Sequence, residues 1–214
     1  MEKKDTKEIK VTIADPSALG LFGLAMVTLV ASSQKLGLTS GLSLVIPWAV
    51  FLGALAQLVA GIIDFKRNNV FGGTAFCLYG FFWLGMALSW MINMGALGST
   101  LQSEADTSEM GFAFIGYLVI TIFLTIGALE THKVLLTIFI LIDVLFLGLA
   151  VSTLTTSHGI EQVFHNIAAF AEMGIAICSF YGGGAAVVNA HVGRVVLPVG
   201  RPCGILTPKN KKEI

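Results

Sequence analysis

Two carboxylates stand where a lipid-facing sequence tolerates few: Asp143 and Glu172 each interrupt an apolar run that otherwise carries no charge. An ionised Asp at the centre of a membrane helix costs ~2.5–3.5 kcal/mol on translocon scales, and no Lys or Arg lies inside any run to pair with it. Ionised, the two acids would repel an anion. Protonated, either would donate a hydrogen bond and could couple a proton to a passing solute. The plainer reading of Asp143 is a neutral acid bonded to a neighbouring helix, and Glu172 lies nearer the end of its run. Gln57, Thr74 and Asn189 pose the same problem in uncharged form. A buried amide or hydroxyl finds no water in hydrocarbon, so each either bonds across helices or lines a polar passage. His158 and His165 fall near the end of the last pair of runs, where titration in the physiological range is available; a solvated loop or helix end is their ordinary use.

The stretch Asp15-Pro16-Ser17-Ala18-Leu19-Gly20-Leu21 predicts a helix start. Asp15 is a good N-cap, and Pro16 suits the first helical position, where its missing N–H is no loss. The free N–H groups from Ser17 to Gly20 form a positive helix end that favours an anion, and the small residues would let a carboxylate reach the backbone. A well-made start to a membrane helix accounts for the same residues without a ligand. Covalent chemistry has no foothold: there is no Gly-x-Ser-x-Gly elbow, no phosphate loop and no metal-ligand spacing, and the four histidines, at 132, 158, 165 and 191, are scattered. Neither an enzyme nor a bound cofactor or metal is expected.

The elements that must position these residues are six apolar runs, roughly 17–34, 42–63, 70–94, 110–129, 134–157 and 166–190, each near the ~20 helical residues that span a hydrocarbon core. Twelve of the thirteen Lys and Arg residues fall on one side of this alternation: Lys3, Lys4, Lys7, Lys10, Lys66, Arg67, Lys133, Arg194, Arg201, Lys209, Lys211 and Lys212; Lys35 alone falls on the other. The positive-inside rule then predicts an all-α membrane protein of six transmembrane helices with both termini cytoplasmic. A content of 12% charged and 55% hydrophobic residues, with mean hydropathy +0.84, excludes a soluble domain, where ~25% charged is usual. The lipid bilayer is the partner this composition demands. Zero net charge argues against nucleic acid.

The organisation expected is a tail at 1–14, a transport domain at 15–193 and a solvated tail at 194–214. Glu104, Asp106 and Glu109 read as a solvated external loop, and Trp48, Trp83 and Trp90 as interfacial belt aromatics. Cys77, Cys178 and Cys203 are expected to be free thiols. The dense glycines read as close helix packing, which in lipid replaces the hydrophobic drive. Gly182-Gly183-Gly184 marks a close crossing, a bend or a pore-facing gap.

Four segments of the chain resemble the acetate uptake transporter family, also called succinate/acetate permeases. They are DPSALGL (Asp15 to Leu21), AQLVAGIIDFKRNNVFGGTAFCLYGFFW (Ala56 to Trp83), KVLLTIFILIDVLFLGLA (Lys133 to Ala150) and GRVVLPVG (Gly193 to Gly200). The first looks like the family's N-terminal Asn-Pro-Ala-Pro-Leu-Gly-Leu signature, with Asp15 in place of Asn and Ala18 in place of the second Pro. The second, the most specific, carries the Ala-Gln-x-x-Ala-Gly and Thr-Ala-Phe-x-x-Tyr-Gly-x-Phe-Trp patterns. The resemblance implies a six-helix protomer in the inner or plasma membrane, assembled as a homohexamer with a pathway in each subunit for acetate, related short carboxylates and in some members succinate. It implies a constriction of that pathway at Leu24, Tyr79 and Leu141, and the residue reading adds Asp15, Pro16, Leu19, Gly20, Gln57 and Thr74 as candidates for its lining. Leu24 stands where the family commonly has Phe, which predicts a wider gate. Asp143 and Glu172 are departures from the family pattern and the candidates for proton coupling, of which at least one, and Asp143 before Glu172, is expected to carry it. A pore for small neutral solutes, or a membrane sensor that keeps the fold without transport, are the alternative readings.

Overall fold

The computed structural model describes residues 12–206, all helix and connecting loop. The tail lysines Lys3, Lys4, Lys7, Lys10, Lys209, Lys211 and Lys212 lie outside the described residues. Six helical segments are long and apolar enough to cross a membrane. Helix α1 is Ser17–Lys35. The second span runs from α2, Val45–Trp48, through a π-helical stretch, Ala49–Ala56, into α3, Gln57–Lys66. Span three is α4, Val70–Asn93. The short α5, Ser99–Ser103, sits in the acidic loop before α6, Ser108–Ala128. Helices α7, Lys133–Leu154, and α8, His158–Val192, complete the bundle.

Each span packs on the one before and the one after, and α8 returns to α1, so the six close a ring in chain order. Glycine sets the tightness of that ring. A Cβ added at Gly23 of α1 would fall 2.5 Å from the Leu52 carbonyl oxygen, and one at Gly61 of α3 would fall 2.5 Å from Cys77 Sγ and 3.0 Å from the Gly73 carbonyl oxygen. Gly148 of α7 lies as close to the Phe164 carbonyl of α8. Van der Waals contact over such crossings holds helices together where lipid competes with every apolar side chain. The Gly182–Gly184 run proves to be a close crossing inside an unbroken helix: Gly183 faces the Phe22 ring of α1, while Gly184 meets open space.

Several boundaries depart from the sequence expectation. Helix α8 starts at His158, so the loop before it shrinks, and at 35 residues its length of about 52 Å exceeds a ~30 Å hydrocarbon core. Span two runs on to Lys66, which brings Asp64 inside it. At the start of α1 the N-cap is Pro16, and Asp15 instead accepts a hydrogen bond from Ser17 N at 2.9 Å. The Asx-type turn on Asp15 thus sits one residue upstream of the observed N-cap. Trp83 and Trp90 are buried in the bundle, not at its lipid surface, whereas Trp48 is exposed. The segment after α8 is not a loose tail: Asn189 Oδ1 accepts from Val196 N and Leu197 N at 2.7 and 2.9 Å, and Tyr181 OH donates to the Pro198 carbonyl. Val134 N and Cys203 N bond to the Val199 and Leu129 carbonyls, fastening this segment across the α6–α7 turn.

Candidate functional site: two cavities on the bundle axis

A cavity of about 430 Å³ opens at the face where the described chain begins and ends, and its wall comes from α1, α3, α4, α7 and α8. Asp15, Asp64, Asn69, His132 and Asn189 ring its mouth; Leu24, Tyr79, Ile138, Phe139 and Ile142 form its apolar end. Beyond that end lies a second cavity of about 160 Å³, lined by Phe82, Trp83, Leu145 and Leu149 and by the polar groups of Lys35, His165 and Glu172. The two sets of residues interleave along the helices. Tyr79 precedes Phe82 and Trp83 by one turn of α4, and Ile142 precedes Leu145 by one turn of α7. A single turn of apolar side chains therefore separates two chambers on one axis.

Tyr79 shows how that turn is made. Its ring lies 6.2 Å from the Phe139 ring, and its hydroxyl is 3.0 Å from Thr121 Oγ1 of α6. Thr121 donates its own proton to the Tyr117 carbonyl at 2.7 Å, so Tyr79 is the donor in their bond. The polar end is thus turned out of the passage and the aromatic face closes it, as an amphipathic ring allows. Behind it Phe82, Phe114, Tyr117 and Phe146 form an aromatic cluster, with Phe82 and Phe146 edge to face at 5.1 Å, which fixes α4 against α6 and α7.

Gln57 is fully buried on the wall of the first cavity. Its Nε2 donates to the Gly53 carbonyl at 2.7 Å, and its Oε1 has no partner among the described residues. Asp64, two helical turns further along the same face of α3, is also fully buried and lines the cavity. Its Oδ1 lies 3.5 Å from Arg67 Nη1, which is also 3.1 Å from Asp15 Oδ1. Gly72 is required beside it, because an added Cβ would overlap the Asp64 carboxylate. Partial burial works to raise the Asp15 carboxyl, but the hydrogen bonds from Ser17 and the Arg67 guanidinium outweigh it and hold the group below its ordinary value. Burial pushes the His132 imidazole down. The neutral ring serves as the α7 cap, its Nδ1 accepting from Leu135 N at 3.1 Å.

The remaining expected residues scatter. Leu24, Gln57, Tyr79 and Asp15 line the first cavity; Pro16, Leu19, Gly20, Thr74 and Leu141 are not among its lining residues. Leu19 is 43% exposed on the outer face of α1. Gly20 lies against the Phe76 ring, so its missing side chain admits α4. Leu141 packs over Gly174 of α8, and its neighbour Ile142 faces the cavity with Phe139. Asp143 lines neither cavity and takes a hydrogen bond from Thr125 Oγ1 of α6 at 2.6 Å, leaving Oδ1 buried without a partner among the described residues. The expectation that Glu172 has no cation within reach is corrected: Lys35, the last residue of α1, places Nζ 2.9 Å from Glu172 Oε2. The sequence reading counted Lys35 as loop. It also passed over Asp64, although its seven-residue spacing from Gln57 was the signal that both share one face.

Among the described residues no cluster of His, Cys, Asp or Glu could hold a metal. A closed ring of six membrane helices, with chambers at both ends of its axis and polar groups gathered at each mouth, defines a membrane transport protein. More particularly, the chain belongs to the GPR1/FUN34/yaaH family, the acetate uptake transporters, whose model matches residues 2–201. It is 31% identical over 189 residues to the succinate-acetate/proton symporter SatP of Escherichia coli strain K12, covering 88% of this chain and 96% of that one. The solved structure of the bacterial acetate channel SatP matches with a TM-score of 0.80 and 29% identity, covering 88% of this chain and 100% of the other. Ammonia transport outward protein 2 of Saccharomyces cerevisiae is 32% identical over 186 residues, covering 84% of this chain and 64% of that longer protein. The family is one of membrane transporters and channels, not enzymes.

Proposed function

We propose that this protein moves acetate and related short carboxylates across the cell membrane along the axis of its own bundle. The observation that carries this reading is the pair of chambers separated by one apolar turn at Leu24, Tyr79 and Ile142. A small anion with a methyl end can be hydrated in the first chamber and need cross only that turn to reach the second. The α1 start, with Asp15, Pro16 and Gly20, serves as the entry end, and Asp15 lines that mouth. Both termini face the cytoplasm in this proposal, as the cation bias requires. A hexamer is consistent with α6, whose Phe112, Ile115, Val119, Ile122, Phe123 and Ile126 present an apolar face to lipid or a neighbouring protomer.

Asp143 and Glu172 are the candidates for proton coupling. Radiolabelled acetate uptake by sealed proteoliposomes tests both parts of the proposal. The wild-type protein is expected to show saturable flux that rises with an inward proton gradient, and its absence would reject transport. Asp143→Asn keeps the bond to Thr125 while removing the titratable proton; a gradient response like that of the wild type would leave Asp143 as a link between α6 and α7. A second reading, a passage for neutral solutes, is favoured by the Lys35–Glu172 pair, which presents no net charge to a permeant. Flux of urea with no acetate flux would select it.

A further inference from the structure

The second cavity holds a buried cation that the apolar passage does not need. Lys35 Nζ reaches Glu172 Oε2 at 2.9 Å, and the two side chains are 13% and 2% exposed. Both line the same cavity of about 160 Å³, whose other walls include the rings of Phe82, Trp83 and Trp90, the side chains of Leu145 and Leu149, and the polar groups of Gln34, Ser152, Thr153 and His165. Two charges taken out of water stabilise a bundle less than apolar residues of similar volume, so a buried pair is weak evidence of a structural role. An ammonium has three donors and no acceptor, and this one stands at the wall of a space large enough for a small carboxylic acid.

We propose that this cavity is a monocarboxylate site in which Lys35 binds the ligand and Glu172 is the resident counter-ion that the ligand replaces when Glu172 takes up a proton. The inference rests on the transport reading for its ligand class and adds the residues, the charge balance and the selectivity. With Glu172 ionised the pair is neutral, and an added carboxylate would leave the dry cavity with a net negative charge. With Glu172 protonated, Lys35 keeps its charge and the ligand's carboxylate restores neutrality, so a proton and a monocarboxylate enter together. A dicarboxylate would bring a second negative charge, and Lys35 is the one Lys or Arg side chain lining the cavity among the described residues. The cavity therefore selects acetate and propionate over succinate. His165 is the other titratable group facing the pair, its Nε2 3.3 Å from the Lys35 carbonyl oxygen. Glu161 and His158 pair with each other a turn or more further out on α8. The cavity walls from α4 and α7 contribute no charged side chain: Phe82, Trp83, Met86 and Trp90 from one, Leu145, Leu149, Ser152 and Thr153 from the other.

Trp83 and Trp90 line this cavity and report its occupancy directly. Acetate added to the purified full-length protein in weakly buffered detergent should change tryptophan fluorescence and draw a proton from solution with each ligand bound; succinate should do neither. In Glu172→Gln acetate should bind without proton uptake, with an affinity that no longer falls between mildly acidic and neutral pH. Lys35→Met should weaken binding roughly tenfold or more, as expected for loss of one charge-assisted hydrogen bond. The double variant Lys35→Met/Glu172→Gln, which strands no charge, must lose the acetate response too. The proposal is overturned if wild-type fluorescence ignores acetate, if the double variant still responds, or if proton uptake survives in Glu172→Gln and vanishes in His165→Gln. Binding as described without flux in sealed liposomes would reject transport and keep the site. Saturable flux with unchanged KM and proton coupling in Glu172→Gln would reject the site and keep transport.

Discussion

The two mouths of the bundle handle charge in opposite ways. At the first, Arg67 is shared between Asp15 and Asp64, at 3.1 and 3.5 Å, and Asp15 is 60% exposed. Water reaches that cluster, and losing the Asp15 carboxylate leaves Arg67 still paired. At the second, one cation and one carboxylate pair with side chains only 13% and 2% exposed, and among the described residues no other ion pair shares them. A shared, wet cluster tolerates change because solvent screens it. An exclusive dry pair does not, because removing either partner strands a charge. The first mouth can gather ions; the second can choose among them.

The largest effect should appear where that contrast is broken outright. Lys35→Met leaves the Glu172 carboxylate buried and alone, and should lower the unfolding free energy in detergent by about 3–5 kcal/mol. Asp15→Asn should lower it by no more than about 1 kcal/mol. Thermal unfolding of the two variants side by side measures the difference, and equal losses would erase the distinction between the mouths.

The passage between the mouths gives an intermediate effect. Tyr79→Ala removes the ring that closes the first cavity and should change acetate flux or selectivity strongly while the protein still assembles. Tyr79→Phe loses only the bond to Thr121, about 1 kcal/mol of stability, and should conduct nearly as the wild type does. If the two variants share one flux phenotype, the hydroxyl and not the ring governs the passage.

The smallest effect sharpens the account of the first mouth. Folding lowers the proton affinity of His132, so the unfolded chain binds more protons as pH falls through the ordinary imidazole range. Stability is then fully present above that range and declines below it. His132→Asn retains an N-cap acceptor and should flatten this acid limb slightly in a pH series of melting temperatures. An unchanged limb would assign it to other groups.

Much of the fold was legible because its signals are local. Apolar runs, cation bias and glycine density are properties of neighbouring residues, and they predict six spans and close crossings. The lining of the passage was less legible, and α7 shows why. Apart from Thr137 and Asp143, Leu135 to Leu149 is apolar on every side, since lipid, neighbouring helices and a closed passage all accept Leu, Ile and Phe. Nothing in that pattern distinguishes Leu141, packed on Gly174, from Ile142, which faces the cavity. Polar residues were easier to find than to interpret. Asp143 drew notice as an intramembrane acid, yet it bonds to Thr125 away from both cavities.

The sequence by itself determined that this chain crosses a membrane six times, which family it resembles, and which residues lack an easy partner in lipid. The spans and the unpartnered residues need only composition and spacing; the family rests on the four segments that resemble it. The partners were decided by the tertiary structure. Lys35 and Glu172 are 137 positions apart and meet because α8 closes the ring against α1. The π-helical stretch Ala49–Ala56 sits directly before Gln57, whose amide bonds back to it at Gly53. Charge pairing across a bundle depends on which helix faces meet. That is set by glycine-permitted crossings and helix rotation summed over the whole ring, which no local window of sequence contains.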